Sequence, residues 1–136
     1  MGPLSHIQHA LVVEDEYLLA TDLRDYLQRL GCHNVRLAMN GSDGERSLAL
    51  GRPGLVTLDV RLGNSDCDRL ADILAARGIA FLYVSGFSRR DKPDLPDAPW
   101  VTKPLDELEL ACAVQALGVW ATPNPQPHDQ RLQSRA

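Results

Sequence analysis

The feature that most restricts this chain is a series of short apolar runs, each stopping at a polar residue and separated from the next by residues at helical spacing. Ala10-Leu11-Val12-Val13 gives way to Glu14-Asp15-Glu16, and Leu55-Val56-Thr57-Leu58 ends in Asp59. Ile79 to Val84 ends in Ser85-Gly86, and Trp100-Val101-Thr102 is followed by Lys103-Pro104. Unbroken apolar runs of strand length are buried on both faces, the condition of strands in a parallel sheet. Between them, Leu19, Leu23, Tyr26, Leu27 and Leu30 fall on one helical face, and Gly31 supplies a C-terminal stop. Adding a shorter, half-exposed strand at Val35 and Leu37 gives five strands alternating with helices. That alternation predicts an α/β fold: a doubly wound five-stranded parallel sheet in the order 2-1-3-4-5, the flavodoxin-like arrangement.

The connecting segments carry their own signals. Ser42-Asp43-Gly44-Glu45 has the capping-box pattern for a short helix through Leu48 and Leu50 to Gly51. Pro53-Gly54 marks a turn, and Val60 to Ser65 reads as a loop. A helix then carries Cys67, Leu70, Ala71, Ile73 and Leu74 inward and stops at Gly78. Pro93, Pro96 and Pro99 oppose a full helix before the fifth strand, because each interior proline costs roughly 3 kcal/mol. The fourth helix is therefore expected to be shortened or lost. The last helix starts near Asp106 and buries Leu108, Leu110, Ala111, Val114 and Leu117. This divides the chain into an N-terminal extension (1–8), a single domain (9–118) and a Pro-rich tail (119–136) expected to be disordered.

Composition narrows the function classes. With 136 residues, 44% hydrophobic and 24% charged, the chain suits one ordinary globular domain. A net charge of −4 argues against direct nucleic-acid binding. No apolar run approaches the length of a membrane span, and Met1-Gly2-Pro3-Leu4-Ser5 lacks the regions of a signal peptide, so the cytoplasm is the expected compartment. Cys32, Cys67 and Cys112 are odd in number and widely spaced, and the four histidines show no ligand spacing, which speaks against a disulfide framework or a zinc site.

The strand ends carry the chemistry. In the predicted sheet, strand 1 delivers Glu14 and Asp15, strand 3 Asp59, strand 4 Ser85 and strand 5 Lys103 to one edge, where open α/β sheets bind their ligands. Crowded carboxylates repel: two charges at 4 Å cost about 4 kcal/mol at an effective dielectric of 20. A divalent cation offsets this, and an all-oxygen site suits Mg²⁺. With Mg²⁺ and the Lys103 ammonium neutralising an incoming phosphoryl group, Asp59 is placed to act as the nucleophile and become an acyl phosphate, while the Ser85 hydroxyl bonds a phosphoryl oxygen.

At these residues the chain resembles the response-regulator receiver domains of two-component systems. The resemblance rests on Val12-Val13-Glu14-Asp15-Glu16, Leu58-Asp59-Val60-Arg61-Leu62-Gly63, Val84-Ser85-Gly86 and Val101-Thr102-Lys103-Pro104, and it runs from about His9 to Leu117. It implies that Glu14, Asp15, Asp59 and the backbone carbonyl of Arg61 hold Mg²⁺, that Asp59 is the phospho-acceptor, and that Lys103 is the family's lysine, joined to Pro104 by a cis peptide. It also implies that Ser85 is the switch hydroxyl and that Trp100 takes the place of the rotating aromatic. Ser85-Gly86-Phe87 is similar to the Thr-Gly-Tyr-like motif of a mostly single-domain subgroup whose region between strands 4 and 5 is altered. The implied donor is a histidine kinase or histidine phosphotransfer protein, and the implied output is a downstream protein target. The only catalysis expected is the domain's own phosphorylation and dephosphorylation.

Several positions depart from the family pattern. Glu14 replaces the commoner Asp, Gly63 stands where many receivers have Pro, and Arg61 sets a bulky cation two residues after Asp59. Arg61 also stands where a haloacid-dehalogenase-like phosphatase would need a second Asp, which argues against that rival. The intact acids and Lys103 argue against a non-phosphorylated interaction module.

Overall fold

A computed structural model of the chain describes residues 2–62 and 65–120. In chain order the elements are β1 (Ala10–Val13), α1 (Tyr17–Arg29), β2 (Val35–Ala38), α2 (Gly41–Leu50), β3 (Leu55–Asp59), β4 (Arg61–Leu62), β5 (Ser65–Asp66), α3 (Asp68–Ala76), β6 (Phe81–Ser85), β7 (Trp100–Thr102) and α4 (Glu107–Ala116). Five of the strands pair in parallel in the order β2-β1-β3-β6-β7. Counting the strands of this sheet alone, that is the expected order 2-1-3-4-5.

The unbroken apolar runs of β1, β3 and β6 are buried along their whole length, because helices cover both faces of the sheet. On one face Ala10, Val12, Leu55, Leu82 and Val84 meet Leu23 and Leu27 of α1 and Leu110 and Val114 of α4. On the other face Leu11, Val13, Val56, Leu58 and Tyr83 meet Leu48 of α2 and Leu70 and Leu74 of α3. The edge strand β2 keeps Val35, Arg36 and Leu37 half-exposed, as its alternation predicts. Between β6 and β7 a single 3₁₀ turn, Arg89–Asp91, takes the place of a helix, in keeping with the three prolines around it.

Local details differ from the sequence reading in four places. The cap of α2 is Asn40, whose side chain accepts from Asp43 N–H, and not Ser42; a cap two residues earlier lets the helix begin at Gly41. The segment read as a loop from Val60 to Ser65 contains an antiparallel pairing of β4 with β5. Two-residue strands this short leave no periodicity to read. Cys67 is buried but precedes α3, occupying its cap position. Leu108 is 73% exposed because α4 turns Leu110, Ala113 and Val114 inward, and a residue two before Leu110 lies off that face.

Residues 2–7 pack against the domain. Leu4 is fully buried among the α1-side core residues together with Ile7, and Leu4 N–H donates to Leu30 C=O at 2.9 Å. Gly31 turns with φ 109°, and its Cα lies so close to the backbones of Gly2 and Ser5 that a Cβ would meet them at 3.0–3.2 Å. Val119 and Trp120 pack against the same core, and the Pro-rich stretch from Ala121 onward lies outside the described residues.

Leu4→Ala should lower stability by about 2–4 kcal/mol, the range for emptying a closed core site. Urea denaturation monitored by circular dichroism checks this; a loss below about 0.5 kcal/mol would mean that the N-terminal segment is not part of the folded core.

Candidate functional site

The parallel register fixes which residues share an edge. Val13 pairs with Leu58, Asp59 with Val84, and Ser85 with Thr102, so Glu14, Asp59, Ser85 and Lys103 emerge together at the carboxyl ends of four strands. Backbone bonds extend this register beyond the strands: Glu14 N–H donates to Ala38 C=O at 2.9 Å, and Lys103 N–H donates to Ser85 C=O at 2.8 Å. The Lys103–Pro104 peptide is cis.

Glu14 and Asp59 are 1% and 4% exposed, whereas Asp15 faces solvent. The three carboxylates each offer an oxygen within 4.8 Å of the others. The Lys103 ammonium sits 3.3 Å from Asp59 Oδ2 and 3.3 Å from Glu14 Oε1, so one cation faces two buried acids. Asp59 Oδ1 accepts from Arg61 N–H at 3.1 Å, which holds the acceptor carboxylate against the start of β4. Glu14 Oε2 accepts from Glu16 N–H at 3.1 Å. Its other oxygen, Oε1, is buried and faces the Lys103 ammonium as an ion pair without a well-aligned hydrogen bond.

Burial, and after it the hydrogen bond and the charge of Asp59, push the Glu14 carboxyl up from its ordinary 4.5 to about 8. Burial works against the Lys103 ammonium, but the charges of Asp59 and Glu14 outweigh it and hold Lys103 above its ordinary value. The native arrangement therefore favours the protonated form of Glu14, with the Lys103 ammonium held charged beside Asp59. Three clustered carboxylate oxygen sources and a buried oxygen without a well-aligned hydrogen bond form a donor set that fits a hard divalent cation.

The open side of the site is a shallow pocket lined by Asp15, Asp59, Arg61, Gly86, Phe87 and Lys103. The Arg61 guanidinium lies 6.0 Å from the centre of the Phe87 ring, so both side chains stand at the mouth of the pocket. Ser85 is fully buried beside the pocket, and its Oγ accepts from Phe87 N–H at 2.9 Å. Trp100 is half-buried: its ring centre is 5.1 Å from that of Tyr83, and its Nε1–H donates to Phe87 C=O at 2.9 Å. Glu14, Asp15, Asp59, Ser85 and Lys103 lie together at the edge expected from the strand order, and Arg61, expected there from the resemblance, lies beside Asp59. Sequence reasoning gave no role to Phe87, whose contacts with Ser85, Arg61 and Trp100 depend on the path of a loop. A broader concavity lined by Ile79, Phe81, Asp97, Pro99 and Leu117 lies at the opposite ends of the strands, away from these groups. Among the described residues no helix is long and apolar enough to cross a membrane.

No protein-family model matches the chain. It is 27% identical over 113 residues to the transcriptional regulatory protein PdtaR of Mycobacterium tuberculosis, an alignment that covers 79% of this chain and 55% of the relative. The solution structure of the PhyR response-regulator receiver domain from Erythrobacter litoralis superposes with a TM-score of 0.71 at 29% identity, covering 86% of this chain and 95% of that one. A CheY-like receiver domain from Methylobacillus flagellatus superposes with a TM-score of 0.69 at 27% identity, covering 82% and 98%. The chain spans about half the length of the curated relatives it matches. In sequence and in fold it is similar to response-regulator receiver domains.

The raised carboxyl of Glu14 has a consequence for stability. A folded-state value of about 8 against 4.5 means that the native state favours the protonated form. Stability from this group is therefore full below about pH 4.5 and is lost as pH rises towards about 8. In the presence of EDTA the melting temperature should fall over that interval, and Glu14→Gln should flatten the fall. Equal pH slopes in the two proteins would contradict this assignment.

Proposed function

We propose that this receiver-type domain is a phospho-acceptor switch in which Asp59 takes a phosphoryl group from a phosphohistidine donor. The observation that carries this reading is the Lys103 ammonium 3.3 Å from both Asp59 and Glu14, on the edge where three carboxylates converge. A single lysine faces both buried acids beside the acceptor. We assign Glu14, Asp15, Asp59 and the backbone carbonyl of Arg61 as the groups that would hold Mg²⁺. When bound, Mg²⁺ supplies positive charge that neutralises the oxygens of the transferring phosphoryl group.

The residues of this chain do the rest. An Asp59 carboxylate oxygen forms the new O–P bond as the N–P bond of the donor breaks, and the leaving imidazole takes up a proton. Arg61 N–H, already bonded to Asp59 Oδ1, fixes the carboxylate so that Oδ2 faces Lys103. Lys103 pairs with the charge that arrives. Ser85 exchanges its bond from Phe87 N–H for one to a phosphoryl oxygen, and the loop at Gly86 follows. Added charge of about −1.5 to −2, by analogy with other phosphorylated side chains, biases the two states of that loop. The donor in this reading is a histidine kinase or a histidine phosphotransfer protein. Output runs through a protein target, or through onward relay of the phosphate, and involves no direct contact with nucleic acid. Catalysis is limited to the domain's own phosphorylation and dephosphorylation.

Incubation with acetyl phosphate and Mg²⁺ should add the mass of one phosphoryl group. Asp59→Asn should abolish the addition and EDTA should prevent it. An unmodified wild-type protein, or labelling that survives in Asp59→Asn, would overturn the reading. Arg61 stands at the pocket mouth, where it can meet the phosphoryl group or obstruct water. Arg61→Asn should change the dephosphorylation rate severalfold, and equal decay of the acyl phosphate in the two proteins would remove Arg61 from that role.

A further inference from the structure

The segment between β6 and β7 lacks a helix, yet one side chain ties it to both flanking strands. The half-buried Arg89 donates from Nη1 to Lys92 C=O at 3.2 Å and from Nη2 to Leu95 C=O at 2.6 Å. Its guanidinium carbon lies 5.7 Å from the ring centre of Tyr83 and 5.7 Å from that of Trp100. Tyr83 is itself pinned, its hydroxyl donating to Pro96 C=O at 2.7 Å. The Ser88 and Asp91 side chains cap the turn that carries Arg89. A planar cation that stacks on aromatic rings while its N–H groups bond backbone carbonyls is a firm joint, because all of its donors are fixed by one rigid group.

The joint reaches the phosphoryl site through a short series of contacts. Arg89 holds the Trp100 ring against Tyr83, Trp100 Nε1–H holds Phe87 C=O, and Phe87 N–H holds Ser85 Oγ. Both polar groups of the Phe87 backbone are therefore engaged, one by the indole and one by the hydroxyl that would serve Asp59. Movement of the Ser85 oxygen towards Asp59 competes with the bond from Phe87 N–H.

We propose that Arg89 is a positioning residue that restrains the Ser85 hydroxyl through Trp100 and Phe87, so that the crossover between β6 and β7 holds the switch in its unphosphorylated arrangement. The inference rests on the phospho-acceptor reading and adds to it a control element remote from the acids. It also assigns Trp100 a fixed place in the clamp, with the loop at Phe87 as the moving part. A protein that engages the crossover and draws Arg89 off the rings would release Ser85 and favour phosphorylation, by reciprocity of coupled equilibria.

The test uses the full chain with Trp120→Phe, which leaves Trp100 as the single tryptophan. In the free protein, Arg89→Met should raise acrylamide quenching of Trp100 about twofold, and Arg89→Lys, which keeps a cation over the rings, should raise it less. Titration with beryllofluoride and Mg²⁺, read by fluorine NMR, should show about fivefold tighter binding in Arg89→Met, a coupling of ordinary size. The gain should vanish in the double variant with Ser85→Ala. Unchanged quenching and affinity in Arg89→Met, or a gain that persists without the Ser85 hydroxyl, would overturn the relay. Absence of beryllofluoride binding in every variant would overturn the acceptor reading beneath it, whereas equal binding in all variants would overturn the relay alone.

Discussion

Two buried carboxylates share one ammonium, and the rest of the molecule is arranged around that imbalance. Glu14 and Asp59 are almost completely withdrawn from water, and Lys103 stands 3.3 Å from each. Withdrawing acids from solvent is costly unless they are paired or hydrogen-bonded. The sheet meets the cost by register: β1 sets Glu14 beside Asp59, and the backbone bond from Lys103 to Ser85 brings the amine between them. The cost is not met in full. Glu14 Oε1 faces Lys103 without a well-aligned hydrogen bond, and the Glu14 carboxyl is pushed up to about 8. An incompletely compensated site of this kind responds strongly to any charge that enters it, which is the physical requirement for a switch operated by a cation and a phosphoryl group.

In the proposed switch, the same edge also reads that change out. Phe87 lies where three influences meet: the Ser85 hydroxyl on its N–H, the Trp100 indole on its carbonyl, and the Arg61 guanidinium over its ring. Replacing a helix with a single 3₁₀ turn leaves the crossover without a helical hydrogen-bond ladder, and Arg89 supplies part of what is missing through two backbone carbonyls and two rings. The crossover is thus held by a few specific contacts centred on Arg89.

The sheet was legible in the sequence because a doubly covered strand must be apolar throughout. Leu55 to Leu58 and Ile79 to Val84 leave little alternative, and a strand-end acid or lysine is placed by the order of the strands alone. What eluded the sequence depends on contacts made by other parts of the chain. Asn40 caps α2 where Ser42 carries the more familiar pattern, because the helix starts earlier. Leu108 is apolar yet outside the core, since α4 turns on the axis set by Leu110 and Val114. Leu4 reads as an isolated residue ahead of the first strand, and only the fold reveals the gap it fills beneath α1. Arg89 resembles any solvated arginine until Tyr83 and Trp100, distant in sequence, are seen on its flanks.

The central claim is that Asp59 is the atom-level acceptor, with Lys103 and the two neighbouring acids serving it. It is tested most directly by treating the phosphorylated protein with borohydride, which reduces an aspartyl phosphate to homoserine, and mapping the peptides. The account predicts homoserine at position 59 and at no other aspartate, lost when Lys103 is replaced by Ala. Homoserine at Asp15 or elsewhere, or undiminished reduction at Asp59 without the lysine, would contradict it.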